Sequence, residues 1–126
     1  MKSFKEFLKE DSDKFVQNPS QDVPIYKKEI GKFQDITLYL VKGEEVRNKI
    51  AVDFTMGGHG YVYEFVPKDE VWIDDRMSPF DIGCTIIHEL IERLIMMRDG
   101  LEYSEAHEIA TNFEYKLRDD HLKENK

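Results

Sequence analysis

The chain has one cysteine, Cys84, so it can form no internal disulfide. Cys84 lies in the apolar run Ile82-Gly83-Cys84-Thr85-Ile86-Ile87, with no His or Arg beside it in sequence. It reads as a small buried hydrophobe rather than a reactive thiol. No stretch of about 18 apolar residues is present to span a bilayer. The opening segment, MKSFKEFLKEDSDKF, is amphipathic and charged throughout, without the apolar core of a secretory signal. Together these absences predict a cytoplasmic protein with no membrane partner. Basic charge is also scarce. Lys and Arg number 18 against 26 Asp and Glu, the formal net charge is −8, and no basic run exceeds Lys27-Lys28. A phosphate backbone would be repelled on average, which argues against a nucleic-acid partner. The same balance suits a cation held by carboxylates. Internal repeats and low-complexity tracts are missing too.

What is present fits one domain over residues 1–126, large enough to bury about two-thirds of the surface its unfolded chain exposes. Phe4, Phe7, Leu8 and Phe15 have the spacing of an amphipathic helix over residues 3–16. Residues 17–33 are mixed, with Pro24 and Gly31 as breakers. Residues 35–41, 50–55, 61–66 and 70–74 are short, β-branched or aromatic, and separated by turn signals. Those signals are Lys42-Gly43-Glu44-Glu45, the glycine-rich Gly57-Gly58-His59-Gly60 and Pro67-Lys68-Asp69. This predicts a small antiparallel meander of three to four strands, with Trp72 in its core. Helical signals follow. Ser78 is an N-cap, Pro79 suits the first helical position, and Asp81 places negative charge in the first turn of a helix over 79–98. Asp99-Gly100 ends it. A last helix starts at Ser104 and runs to about Asp120, with a frayed tail beyond. The fold class is α+β: an N-terminal helix, a small sheet and two C-terminal helices.

The segment Thr85-Ile86-Ile87-His88-Glu89-Leu90-Ile91-Glu92-Arg93 carries the chemistry. Helical residues at i and i+4 share a face, so His88 and Glu92 project together and can meet one ion. Glu89 lies at the edge of that face. Ile82, Ile86, Leu90, Leu94 and Met97 make an apolar face, while Asp81, Thr85, His88, Glu89, Glu92 and Asp99 fall on the other arc. The bland alternative is an ordinary His–Glu helical pair. On the last helix, Tyr103, Ala106, His107, Ala110, Phe113, Glu114 and Leu117 form one stripe. Glu114 is read first as an i,i+4 partner of Arg118, with a supporting role at a metal site as the second option.

His88-Glu89-Leu90-Ile91-Glu92 resembles the active-site helix of the zincin metallopeptidases, whose motif is H-E-x-x-H, with Glu92 at the place of the second histidine. The likeness covers this helix and its two flanking elements. It implies a zincin-like domain in which His88 and Glu92 hold Zn²⁺, or another divalent transition metal, and Glu89 is the general base. Because Glu92 departs from the motif, the remaining ligand of a two-histidine, one-carboxylate set falls to another histidine. His107, after the turn at Asp99-Gly100, is the best placed. Tyr103, His59 and Arg93 are the candidates for stabilising a developing oxyanion. The implied function is a minimal zinc-dependent hydrolase acting on a peptide or protein, with residues 61–66 offering a strand edge to an extended substrate. The competing reading is a non-catalytic metal-binding or interaction module on a zincin-like fold. A ferritin-type di-metal bundle is disfavoured, because the sequence contains no E-x-x-H and its middle third is strand-like. The oligomeric state is left open.

Overall fold

Residues 36–41 and 70–74 bury nearly every side chain on both faces. That burial suits parallel pairing better than a solvent-facing meander. The computed structural model describes residues 15–17 and 24–124. The strands are β1 (Phe15–Gln17), β2 (Pro24–Phe33), β3 (Ile36–Val41), β4 (Gly57–His59) and β5 (Glu70–Asp74). The helices are α1 (Gly43–Lys49), α2 (Pro79–Asp99) and α3 (Tyr103–Glu124). The protein is a mixed α+β structure. It divides into two compact units, one running to Arg76 and one from Met77 onward.

In the first unit, β2, β3, β5 and β4 form a mixed sheet, and β1 pairs with the start of β2 to give the order β1-β2-β3-β5-β4. β3 and β5 are parallel, with Tyr39 opposite Trp72; the other pairings are antiparallel. The expected antiparallel meander is therefore corrected to a mixed sheet. Residues 17–33, read as mixed, contain the longest strand. The turn expected at Lys42-Gly43-Glu44-Glu45 opens α1, whose Val46 is fully buried. Two expected strands, 50–55 and 61–66, are turns and irregular chain instead. Their Phe54, Phe65 and Val66 still pack with Ile25, Tyr39, Val41, Val46 and Trp72 in one core. The glycine-rich loop is the edge strand β4. A Cβ at Gly58 would come 2.5 Å from Cδ2 of Tyr63, so glycine is what lets that ring lie against the strand. The helix expected over 3–16 lies outside the described residues as far as 14, and Phe15–Gln17 are strand.

The second unit is α2 and α3, packed against each other. Ser78 caps α2 by accepting a 3.1 Å hydrogen bond from the Asp81 amide, and Pro79 is the first helical residue. Gly100 closes the helix in the left-handed conformation, with φ 68°, and its amide donates to the Met96 carbonyl at 3.1 Å. Nothing lies within 4 Å of a Cβ added there, so Gly100→Ala carries only the backbone penalty. The expected loss is about 1–2 kcal/mol, read from urea unfolding with unchanged m-value. Ala106 and Ala110 of α3 are fully buried. The tail expected to fray is helical to Glu124. No helix among the described residues is long and apolar enough to cross a membrane.

Candidate metal centre

Helix α2 is buried on its polar arc. Thr85, His88, Glu89, Glu92 and Arg93 are buried, whereas Ile87, Leu94 and Met97 are 40%, 44% and 47% exposed. Leu94 and Met97 had been expected in the apolar face, so the observed rotation is a correction. The hydrophobic effect alone would select the opposite arrangement, and each buried polar group costs free energy unless it is partnered.

Three donor atoms converge on that arc. His88 and Glu92 stand one turn apart, with Nε2 of His88 3.3 Å from Oε2 of Glu92. From α3, His107 brings Nδ1 to 2.9 Å from the same oxygen and 3.2 Å from Nε2 of His88. A tetrahedral ion at about 2.0–2.1 Å from nitrogen and oxygen donors places those donors about 3.3 Å apart. The observed triangle fits, and two imidazole nitrogens with one carboxylate oxygen are a set that leaves a coordination position open. The side chains of His88 and Glu92 are almost wholly buried, while that of His107 is 47% exposed, so one edge of the triangle meets solvent. The structure brings together the three residues that the sequence singled out.

Electrostatics suit a cation. Glu89, Glu92 and Glu114 all act on His88 as nearby negative charges. Burial alone would lower the His88 pKa, but its hydrogen bond with Glu92 and the three carboxylates outweigh that and hold it above the ordinary range. Burial, followed by the charge of Glu92, pushes Glu89 up to about 8, against the opposing pull of His88. A divalent ion would relieve this crowding of negative charge.

The remaining candidates are distributed as follows. Tyr103, on the first turn of α3, places its hydroxyl 3.5 Å from Nδ1 of His107. Arg93 is buried on α2, with Nη1 3.9 Å from Sδ of Met97. His59 belongs to the first unit. It is fully buried on β4, and its Nδ1 accepts from the Tyr61 amide at 3.2 Å. Glu114 meets both Arg118 and His88. Its Oε2 accepts from Nε of Arg118 at 2.8 Å, and its Oε1 lies 3.0 Å from Nδ1 of His88. That second approach has hydrogen-bond length without hydrogen-bond alignment. Sequence reasoning missed the pairing of Arg118 with Asp81, Nη1 to Oδ1 at 2.7 Å, because 37 residues separate them and no local pattern links them. No family model, curated protein or solved structure matches this chain.

Proposed function

We propose that the second unit holds one divalent transition-metal ion, zinc in the first instance, on Nε2 of His88, the Glu92 carboxylate and Nδ1 of His107, and that the site hydrolyses a peptide or protein substrate. The carrying observation is the triangle of donor atoms at 2.9, 3.2 and 3.3 Å. When bound, such an ion supplies Lewis-acid chemistry and lowers the pKa of a water in contact with it toward about 7. Glu89, one residue from His88 and three from Glu92, is the group to take a proton from the attacking water and return it to the leaving group. The Tyr103 hydroxyl, 3.5 Å from Nδ1 of His107 at its solvent-facing end, is the oxyanion candidate this reading favours. The absence of a second histidine in the helix motif is met by His107, so the donor set is complete although its order differs.

Metal analysis tests the site. Purified protein reconstituted with zinc is expected to hold about one ion per chain by the three-ligand geometry. His88→Ala, Glu92→Ala and His107→Ala should each weaken zinc by more than the roughly 10–100-fold typical of outer-shell changes. Chelator competition reads the affinity, and circular dichroism verifies that each variant is folded. Wild type that takes up no zinc would end the proposal.

One observation favours a second, non-catalytic reading. The ligands come from both α2 and α3, so the ion would tie the two helices together and contribute to folding as a structural site does. Zinc-dependent stability without hydrolysis of any peptide would select this reading.

A further inference from the structure

Resting on that metal reading, we infer that Arg118 is a positioning residue for the site, clamping Glu114 between itself and His88 so that His88 presents Nε2 to the ion.

The geometry forms a chain of contacts. Asp81 is fixed at the start of α2 by Ser78, whose Oγ accepts from the Asp81 amide at 3.1 Å and lies 3.0 Å from its Oδ2. Arg118 spans the gap between two carboxylates, with Nη1 donating to Asp81 Oδ1 at 2.7 Å and Nε to Glu114 Oε2 at 2.8 Å. Its guanidinium carbon also sits 5.6 Å from the Phe80 ring centroid, and that ring stacks on His121 at 3.9 Å. The planar fork of arginine can hold two acceptors at fixed angles, which a lysine cannot. With Oε2 of Glu114 held, Oε1 is left 3.0 Å from Nδ1 of His88. That nitrogen is buried and has no hydrogen bond among the described residues, and the Glu114 carboxylate is the acceptor beside it.

The consequence is chemical. An imidazole has two tautomers, and a carboxylate beside Nδ1 selects the one with the proton there. That leaves the Nε2 lone pair for an ion shared with Glu92 and His107, in place of the Nε2–Glu92 contact of 3.3 Å, and the carboxylate raises the basicity of the ligand. Arg118 also balances the charge of Glu114, which would otherwise add an uncompensated third carboxylate to Glu89 and Glu92. An Arg–Glu pair at i,i+4 on an exposed helix would be of little consequence. Here the pair is linked to a buried histidine on one side and to the cap of the neighbouring helix on the other.

The test uses the full chain with Arg118→Met, which keeps the apolar stem and removes the donors. Asp81→Asn is a second variant that leaves the Arg118–Glu114 pair in place. Lys123→Met, whose partner is Asp119 on the same helix, is the control. Two readouts are taken: zinc affinity by chelator competition, and the His88 tautomer in metal-free protein by long-range proton–nitrogen NMR at a pH where the ring is neutral. Arg118→Met is expected to weaken zinc by about 10–100-fold and to shift the His88 tautomer population away from the form protonated at Nδ1. Asp81→Asn should move both in the same direction by less, and Lys123→Met should move neither. If Arg118→Met does not fold, Asp81→Asn decides. Wild-type affinity and an unchanged tautomer in the folded variants overturn the clamp while leaving the metal site standing. A wild type that binds no zinc overturns the metal reading and the clamp with it.

Discussion

Glu89→Gln is expected to keep one zinc per chain while peptide hydrolysis falls by about 10²–10⁴-fold, the usual worth of a positioned general base. The substitution preserves shape and removes only the ability to accept a proton. Glu89 is not among the three converging donors, so the variant should still load one zinc per chain. The variant also removes a carboxylate whose charged form burial disfavours, so its melting temperature should not fall and lost activity cannot be put down to lost fold. The assay is cleavage of a mixed peptide library followed by mass spectrometry, on wild type and variant loaded with zinc to the same level. Equal cleavage by both would remove Glu89 from its role. No cleavage by a fully loaded wild type would select the structural-metal reading.

Lys27→Met is expected to destabilise the protein by about 3–5 kcal/mol, the cost of leaving a buried charge without its partner. Lys27 and Glu70 are 2% and 0% exposed, with Nζ 2.5 Å from Oε1. The same oxygen accepts from Trp72 Nε1 at 2.9 Å, and the ammonium lies 3.8 Å from the Tyr39 ring centroid. Glu70 thus keeps one donor in the variant and loses its counter-charge. The double variant Lys27→Met/Glu70→Gln should recover most of the loss, because glutamine still accepts from Trp72 and carries no charge. Urea unfolding of the two variants against wild type decides. If the single and double variants are equally unstable, the charge pair is not the cause. A pH signature accompanies the pair. Burial lowers the Lys27 pKa to about 8 despite the opposing pull of Glu70. Between about 8 and its ordinary 10.5 the unfolded chain therefore holds the proton that the folded chain has released. This contribution raises wild-type stability as pH climbs through that window, and the double variant should lack it.

The second unit was almost fully legible in the sequence. Ser78, Pro79 and Gly100 specify backbone conformations by their own chemistry, so both ends of α2 fell where expected. His88 and Glu92 follow from helical period alone. The rotation of α2 was not legible. A rule that buries Ile and Leu predicts Leu94 and Met97 inside, whereas Thr85, His88, Glu89, Glu92 and Arg93 are buried instead. The sheet was read less well, for three physical reasons. β2 carries Lys27, Lys28, Glu29 and Lys32, whose polarity hides a strand, and Lys27 enters the core only through its pairing with Glu70. Phe54, Phe65 and Val66 have strand-like character, yet they fill the core from turns, since packing asks for apolar volume and not for extended backbone. Strand direction was also hidden: the parallel match of β3 with β5 leaves no mark in either strand's own residues.

Between β3 and β5 lie residues 42–69, including α1 and β4. Their ladder therefore closes a long loop, and chain entropy opposes it until much of the first unit has gathered. The partners α2 and α3 are separated only by residues 100–102, so their contacts are local and the cost of bringing them together is small. High contact order governs one unit and low contact order the other. Trp72, at the centre of β5, is buried by long-range closure, whereas the donors of His88, Glu92 and His107 are brought together by a local one.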